Sequence, residues 1–321
     1  MRDYNQLVTI LVAVKNKKET VDKCVKSLLE TDWPQKNIII IDNMSTDGSF
    51  EILKTFGNKI ALHRMEGGLS QIFNHGIQKI QTEYVVFTDA DCVVGKNWLK
   101  ELMRPFYEEN NLVATAGYCG TPGNVSLLQK LIGLELENRF KRFPKYIKRA
   151  PTMNLCVKTD AVKKIKFDER FSYQAFETDF GYRLTKLGKM AYTPEAKIFH
   201  YHRASVKNFF KQQKDQAKWG VILFLKHGRE ALADHITTWK MTMQIPVFFL
   251  IIFFALLSFF SAAFLYLSAF LLGILLFLYL KNIKEIKPPI HYYPPLIIIF
   301  FLRTIAWIIG VSEGFIMRWK N

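Results

Sequence analysis

The sequence predicts a doubly wound α/β sheet over roughly its first 200 residues, followed by C-terminal transmembrane helices. Three observations support this fold class. Short apolar runs alternate with segments of helical periodicity along the N-terminal part of the chain. The links between these segments are short, as in sheets whose strands are joined by helices. The stretch Pro246–Leu280 then contains no charged residue at all.

The predicted strands and helices follow one another in regular order. Leu7–Val14 is a continuous β-rich run, as expected of a strand that is buried on both faces. The next segment, Glu19–Leu29, has the apolar spacing of a helix. The elements that follow are the strand Asn37–Ile41, the helix Phe50–Thr55, the strand Lys59–His63, the helix Leu69–Ile80 and the strand Glu83–Thr88. Ligands bind such sheets beyond the carboxyl ends of the strands, so the residues after each strand are the first candidates for a site.

The composition excludes several classes of protein. Half of the 321 residues are hydrophobic, which excludes a disordered chain, and the formal net charge is +16. The cysteines have no Cys-x-x-Cys spacing, which excludes a disulfide scaffold and a zinc ribbon. They are Cys24, Cys92, Cys119 and Cys156. We expect buried thiols in a reducing compartment. No secretory cleavage site is visible, so the N-terminal region is expected in the cytoplasm.

The charge-free stretch is too long for one membrane span. As a single helix, Pro246–Leu280 would be about 50 Å long, against about 30 Å of hydrocarbon. We therefore expect two helices, about 246–262 and 264–280, with a break near Ser258–Tyr266. A third apolar segment lies at about 295–315. The basic loop Lys281–Lys287 is cytosolic by the positive-inside rule, which predicts a multi-pass protein of the cell membrane.

The third apolar segment leaves two topologies open. If it crosses the membrane, Arg318 and Lys320 lie outside, in conflict with the positive-inside rule. A re-entrant or interfacial segment would remove that conflict. The segment also contains Arg303, which would snorkel, face other protein or contact a lipid phosphate.

Acidic residues directly follow two of the predicted strands. Asp42 follows Asn37–Ile41, and Asp89 and Asp91 follow Glu83–Thr88. Two carboxylates this close to a buried strand are costly unless a cation lies beside them. Hard oxygen ligands suit Mg²⁺ or Mn²⁺, so a divalent ion that holds a diphosphate would satisfy the pattern. A solvated turn at Asp89–Asp91 and a turn or cap role for Asp42 are the alternatives.

These residues belong to a longer series of motifs. The segments are Val8–Asn16, Ile39–Ser49, Asn74–Ile77, Phe87–Asp91, Met153–Val157 and Phe176–Leu184. In this order they resemble family 2 glycosyltransferases of the GT-A fold, over about residues 5–220. The apolar helices that follow resemble the membrane-bound branch of that family, which builds polysaccharides and glycolipids. The resemblance implies a Rossmann-like, doubly wound mixed sheet as the catalytic domain.

The resemblance also implies roles for individual residues. Those expected to bind the substrates are Asn16, Asp42, Gly68, Asn74, Asp89 and Arg183. Asp91 is expected to bind a Mn²⁺ or Mg²⁺ ion at the diphosphate, with Asp89 as a further candidate. Such an ion would stabilise the charge on the departing nucleoside diphosphate. Apart from the resemblance, His200 follows the strand-like stretch Ala196–Phe199 and is a candidate third ligand or diphosphate contact, with ordinary packing as the alternative.

The resemblance places the general base in the segment Phe176–Leu184. Counting back from Phe180 and Arg183 puts Glu177 at the base position, with Asp179 as the second candidate. An inverting transfer needs a carboxylate there to remove the proton of the acceptor hydroxyl. The segment Gln212–Gly220 matches the Gln-x-x-Arg-Trp signature of the membrane-bound branch only in part. This partial match argues against a processive polymerase.

Two basic surfaces complete the sequence-based picture. Lysines at 207, 211, 214 and 218 share one face of a predicted helix, and basic and aromatic residues alternate over 137–149. The apolar spans favour docking on anionic headgroups over the rival, nucleic-acid binding. The predicted domains are a GT-A domain at 1–205, basic amphipathic interfacial helices at 206–243 and a transmembrane region at 244–321.

The resulting hypothesis is a membrane-anchored, metal-dependent inverting glycosyltransferase with a cytoplasmic catalytic domain. It would move a sugar from a UDP- or GDP-linked donor to a lipid-linked glycan or glycolipid. No nucleic acid partner is expected. Two alternatives stay open, namely direct transfer to polyprenyl phosphate and a catalytically inactive membrane scaffold of the same fold.

Overall fold

The structure is a computed structural model that describes residues 6–320, with side chains described as far as Met317. The side chains of Arg318 and Lys320, for which a position outside the membrane was one expectation, lie outside the described part. The chain forms two compact units. The sheet unit comprises the chain up to Val125 together with Phe140–Tyr201, and the helical unit comprises Ser126–Arg139 together with the chain from His202 onward.

The sheet unit contains nine strands within the described residues. They are β1 (Val8–Val14), β2 (Lys36–Asp42), β3 (Ala61–Arg64), β4 (Tyr84–Asp89), β5 (Cys92–Val94), β6 (Leu112–Gly120), β7 (Tyr146–Ile147), β8 (Leu155–Lys158) and β9 (Lys189–His200). The helices of the whole described chain are α1 (Val21–Leu29), α2 (Ser49–Lys54), α3 (Leu69–Gln78), α4 (Trp98–Glu108), α5 (Leu127–Phe140), α6 (Thr159–Ile165), α7 (Phe176–Leu184), α8 (Val206–His227), α9 (Trp239–Thr242), α10 (Gln244–Leu257), α11 (Ala262–Ile286) and α12 (Tyr293–Lys320).

The strands form one mixed sheet in the order β3-β2-β1-β4-β8-β6-β9-β5, and β7 pairs with β9. The first four strands of this order are parallel, and β8 is antiparallel to both β4 and β6. The apolar runs of β1, β2 and β4 are buried, as expected of central parallel strands. The predicted doubly wound mixed sheet is confirmed, and the predicted elements up to Asp89 differ from the observed ones by at most two residues at either end. The four cysteines are free and buried, as predicted.

The sheet brings the ends of several strands to one edge. In the parallel register Val14 pairs with Asp42, and Ala13 pairs with Asp89, so β1, β2 and β4 end side by side. The short strand β5 begins directly after Asp91, and its antiparallel register pairs Cys92 with His200 at the end of β9. The acidic motif after β4 and His200 therefore meet through strand pairing.

The helical unit contains the apolar segments. Three helices are long and apolar enough to cross a membrane: Trp239–Leu257, Ala262–Ile286 and Ile290–Met317. The charge-free stretch is divided between α10 and α11, and the break lies at residues 258–261, within the region predicted for it. The predicted basic helix is α8, a single helix of 22 residues. The basic segment 137–149 is not one helix, because α5 ends at Phe140 and β7 begins at Tyr146.

Charged residues inside the helical unit are paired. Arg303 on α12 is only 1% exposed, and its guanidinium donates to Glu135 on α5. Arg139 Nη2 lies 2.7 Å from the same carboxylate oxygen of Glu135. Burial alone would raise the pKa of Glu135, but the two arginines outweigh it and lower that pKa to about 2. Arg303 therefore faces protein, which was one of the three interpretations open from the sequence.

Candidate active site

Asp91 lies at the centre of a group of charged side chains at the carboxyl edge of the sheet. Its carboxylate pairs with the Lys17 ammonium on the loop after β1, and its Oδ1 lies 3.3 Å from His200 Nε2. Asp89 and Glu177 are close enough for their charges to affect one another's pKa values. We call Lys17, Asp89, Asp91, Glu177 and His200 the strand-end cluster.

The charges of the strand-end cluster are strongly coupled. Burial, reinforced by the charges of Asp91 and Glu177, raises the pKa of Asp89 to about 7. Burial also opposes ionisation of Asp91, but His200 and Lys17 outweigh it and hold the pKa of that carboxyl well below its ordinary value. Burial would lower the pKa of His200, yet the carboxylate of Asp91 raises it to about 10. Perturbed values of this kind are typical of functional sites.

Two members of the strand-end cluster, together with the adjacent Cys92, could hold a metal ion. The ligand atoms of Asp91, Cys92 and His200 all lie within 4.8 Å of one another. Burial and the nearby carboxylates raise the pKa of the Cys92 thiol well above its usual value, so the thiol stays protonated. The carboxylate of Asp91 is then one donor, and the imidazole of His200 becomes a second donor when an ion displaces the proton that its raised pKa retains. The crowding that raises the pKa of Asp89 is what a bound cation would relieve, so the residues fit a divalent ion.

Glu177, a member of the strand-end cluster, lies in the first turn of α7. Its Oε1 accepts hydrogen bonds from Thr152 N at 2.7 Å and Thr152 Oγ1 at 2.6 Å. The preceding turn contains Ala175 in the left-handed region, with φ of 62°, which places Glu177 in the first turn of the helix at the cost of local strain. Burial raises the pKa of Glu177, although the bonds from Thr152 oppose this.

Asp179 and Arg183 form an ion pair with each other. Arg183 Nε lies 2.8 Å from Asp179 Oδ2, and the other guanidinium nitrogens donate to the carbonyls of Ile165 and Lys166. Asp179 is fully buried. The structure thus ties these two residues to the packing of α7, and their predicted contacts with the reacting groups stay predictions.

Asp42 lies at the end of β2 and is fully buried. Its Oδ2 accepts from Ser45 N at 3.0 Å and from Arg64 Nε at 3.1 Å, whereas its Oδ1 has no hydrogen-bond partner among the described residues. Asn16, with φ of 53°, joins the loop after β1 to the loop after β2, because its Oδ1 accepts from Thr46 N at 2.9 Å. The two loops form one bonded surface next to an unsatisfied carboxylate oxygen.

Gly68 and Asn74 have evident packing roles. A Cβ atom at Gly68 would lie 2.9 Å from the side chain of Ser172, so only glycine fits there without a shift. Asn74 donates to Phe167 O at 2.9 Å and Glu169 Oε1 at 2.8 Å, and its Oδ1 accepts from Phe167 N at 2.9 Å. Contact of either residue with a substrate stays a prediction.

Three side chains that sequence reasoning did not single out contribute to the site. They are Lys17, which pairs with Asp91, Arg64, which pairs with Asp42, and Thr152, which bonds to Glu177. Arg64 ends β3 and Lys17 lies three residues beyond β1, so the rule about strand ends would have found both. Thr152 begins a short 3-10 helix before β8, and no sequence signal marks it.

Comparisons with known proteins bear on the origin of this site. Among curated proteins, the chain is 30% identical over 132 residues to poly-beta-1,6-N-acetyl-D-glucosamine synthase of Staphylococcus epidermidis, which covers 40% of this chain and 32% of that protein. It is 31% identical over 108 residues to cholesterol galactosyltransferase of Borreliella burgdorferi, covering 32% of this chain and 30% of that one. The chain thus covers about a third of the length of each of these two relatives.

Solved structures share the fold over nearly the whole chain. The mannosyltransferase PcManGT from Pyrobaculum calidifontis, in complex with GDP-Man and Mn²⁺, has a TM-score of 0.60 at 12% identity and covers 98% of this chain and 88% of its own. S. aureus TarS in complex with UDP-GlcNAc has a TM-score of 0.51 at 15% identity and covers 98% of this chain and 92% of its own.

The family model described as glycosyl transferase family 2 matches residues 9–170, which is half of the chain. The matched region includes β1 to β8, and with them Asp42, Asp89 and Asp91. The expected GT-A fold agrees with the mixed sheet and with the solved structures that share it. The chain therefore has the GT-A fold, and it belongs to glycosyl transferase family 2.

Proposed function

We propose that the protein transfers one sugar, with inversion, from a UDP- or GDP-linked donor to a lipid-linked glycan or glycolipid acceptor at the cytosolic face of a membrane. The observation that carries this proposal is the strand-end cluster, in which Asp91 pairs with Lys17 and His200 beside Asp89 and Glu177. A catalytically inactive scaffold has no use for carboxylates of such different pKa values at one edge of its sheet.

In this proposal the nucleoside binds beside the loops after β1 and β2. The buried Oδ1 of Asp42 lacks a partner among the described residues, and a donor N–H of the base or a ribose hydroxyl would satisfy it. Arg64 holds the other oxygen of Asp42 at 3.1 Å and thereby fixes the direction of the first. Asn16 keeps the two loops together.

The diphosphate is proposed to lie at Asp91, and His200 and Asp91 would hold Mn²⁺ or Mg²⁺ there. When bound, the ion supplies positive charge that stabilises the departing nucleoside diphosphate. The ammonium of Lys17, which pairs with Asp91 in this structure, is a second positive group within reach of the phosphates. Asp89, with a pKa of about 7, is proposed to accept a hydrogen bond from the ribose or the sugar.

Glu177 is proposed as the general base. Thr152 holds only Oε1, so Oε2 is available to the acceptor hydroxyl. The hydroxyl proton moves to Glu177 as the acceptor oxygen bonds to the anomeric carbon, and the bond from that carbon to the phosphate oxygen breaks. Asp179 is the weaker candidate, because its carboxylate is fully buried and paired with Arg183.

The proposals of a lipid-linked acceptor and of a membrane anchor are supported by the apolar helices and by one relative. Three helices of the described chain have the length and composition of membrane spans. One relative is named for a sterol acceptor, cholesterol, and a similar site here would meet its acceptor at the membrane. The sheet unit is proposed to lie in the cytoplasm, where nucleotide sugars are available.

The test is a donor panel with the detergent-purified full chain. UDP- and GDP-sugars are offered with Mn²⁺, Mg²⁺ or a chelator, with and without membrane lipid extract, and nucleoside diphosphate release is measured. We expect release that needs the ion and increases with the extract. Release that is unchanged by extract in every combination would contradict the lipid acceptor, and absence of both release and donor binding would contradict the transferase itself.

A further inference from the structure

We propose that only the helix pair α10–α11 enters the bilayer, whereas α12 stays at the membrane surface on the side from which the pair enters. The inference rests on the membrane association proposed above, and it decides between the candidate spans. It is carried by contacts within the helical unit alone.

The α10–α11 pair exposes a continuous apolar surface around its turn. Phe259 is 92% exposed and Phe260 is 80% exposed, and neither residue has a charged neighbour in Pro246–Leu280. An exposed apolar surface of this size needs a cover. The amides of Phe259 and Phe260 in the turn donate to Leu256 O and Leu257 O. Internal bonds of this kind reduce the cost of placing the turn in hydrocarbon, so lipid acyl chains are the proposed cover.

Charged residues mark the opposite end of the pair, which we call the foot. Lys240 on α9 and Glu285 on α11 form an ion pair there. Lys281, Lys284 and Lys287 lie near Glu285, directly after the C-terminal end of the charge-free stretch. Charges of this kind at one end of an apolar pair mark the level of the headgroups.

α12 runs toward the foot where it contacts α10. The ring of Phe301 lies 5.6 Å from the ring of Phe248, and three residues later Thr304 Oγ1 lies 3.4 Å from Oε1 of Gln244, the first residue of α10. Along this stretch α12 therefore approaches the charged end of the pair. If α12 crossed the bilayer beside the pair, it would have to move away from the foot along this stretch, toward the turn at Phe259.

Beyond Thr304, α12 packs on α8. A Cβ atom at Gly310 would lie 2.1 Å from Lys214 O, and one at Gly314 would lie 2.6 Å from Lys218 O, so the two helix backbones are in close contact. Glu313 on α12 also pairs with Lys214 at 2.6 Å. This part of α12 must lie wherever α8 lies.

α8 is too highly charged to cross a bilayer. Its charged side chains include Lys207, Lys211, Lys214, Asp215, Lys218 and Lys226. Each such residue at the centre of a bilayer costs about 3 kcal/mol on insertion scales. Only five residues separate the end of β9 from the start of α8, too few to cross about 30 Å of hydrocarbon, so α8 begins on the side of the membrane where β9 ends. The C-terminal half of α12 therefore lies on that side too.

The outward face of α12 fits a helix that lies in the plane of the surface. Its exposed apolar residues are Ile298, Phe301, Ile309, Phe315 and Ile316. Its inward face carries Arg303, buried against Glu135 of α5. A helix with one apolar face and one face bound to charged helices rests at the boundary between headgroups and acyl chains.

Cysteine labelling in sealed vesicles tests the proposal. The four native cysteines are buried, so single variants report on chosen positions. The variants are Asn58→Cys in the sheet unit, Phe259→Cys at the turn and Ser312→Cys on the exposed face of α12. A membrane-impermeant maleimide is added on the side where Asn58→Cys reacts. We expect Ser312→Cys, which lies at the headgroup boundary, to react from that same side but more slowly than Asn58→Cys, and Phe259→Cys to react only after detergent is added.

Each other outcome overturns the proposal. Reaction of Ser312→Cys only from the opposite side would make α12 a crossing span, and reaction only after detergent is added would place α12 inside the hydrocarbon. Reaction of Phe259→Cys from the side of Asn58→Cys in intact vesicles would show that the pair is not inserted. Protection of Phe259→Cys that persists in detergent would show that another protein surface, such as a second copy, covers it. Labelling needs no donor or turnover, so it succeeds or fails independently of the proposed transfer.

Discussion

The sheet unit and the helical unit differ in how they hold buried charge. In the helical unit Glu135 lies between Arg139 and Arg303, so each of these charges has an ion partner, although Nε and Nη2 of Arg303 have no hydrogen-bond partner among the described residues. In the sheet unit burial and neighbouring carboxylates raise the pKa of Asp89 to about 7, and an oxygen of Asp42 lacks a partner in the described chain. Matched charge holds helices together, whereas unmatched charge at a strand end is available to a ligand. Four variants test this difference between the two units.

The largest effect is expected at Asp91. Asp91→Asn removes the carboxylate that Lys17 and His200 share, and we expect kcat to fall about a thousandfold, with loss of Mn²⁺ binding in a direct titration. Asp22→Asn is the matched control, because Asp22 pairs with Lys26 on the exposed side of α1. Wild-type turnover in Asp91→Asn with unchanged Tm would remove Asp91 from the site.

Glu177→Gln should come next. We expect kcat to fall about a hundredfold or more with little change in the KM of the donor, because the base is lost while the pocket remains. The base acts when deprotonated, and burial raises its pKa, so wild-type activity should increase with pH through a value above the ordinary 4.5 of glutamate. That acid limb should be absent in Glu177→Gln. If only Asp179→Asn behaves in this way, the base is Asp179.

Glu135→Gln tests the matched charges of the helical unit. Removing one partner leaves the buried Arg303 uncompensated, and we expect a loss of about 3 kcal/mol, measured as a lower Tm in detergent. The double variant Glu135→Gln with Arg303→Met should recover part of the loss, because no unpaired buried charge remains. A double variant that is no more stable than Glu135→Gln would argue against an unpaired Arg303 as the cause.

The smallest effect is expected at the contact of α12 with α8. Gly310→Leu has no room beside Lys214 O, so we expect a loss of about 1–3 kcal/mol in detergent, again followed by Tm. Gly273→Leu is the control, because a Cβ atom at Gly273 on α11 has no neighbour within 4 Å. Equal Tm values for the two variants would contradict close packing of the helices.

Sequence periodicity predicted the sheet and the break between α10 and α11, because local spacing determines which face of a strand or helix is apolar. It also directed attention to Asp89 and Asp91, which follow a buried strand. It did not reveal that Asn74 is bonded to the segment at Phe167, or that Asp179 is paired with Arg183. Such pairings depend on the packing of distant segments, which no local pattern contains. The direction of α12 was left open for the same reason.

The register of β5 with β9 has a consequence for the order in which the site forms. Cys92 and His200 are neighbours in the sheet, although about a hundred residues of chain separate them, so closing this loop is a late and entropically costly step. During synthesis on the ribosome, a chain that stops before β9 has the nucleoside loops but not His200. Only five residues separate the end of β9 from the start of α8, which returns the chain to the helical unit. His200 therefore joins the site at nearly the same moment of translation at which the rest of the helical unit begins to emerge.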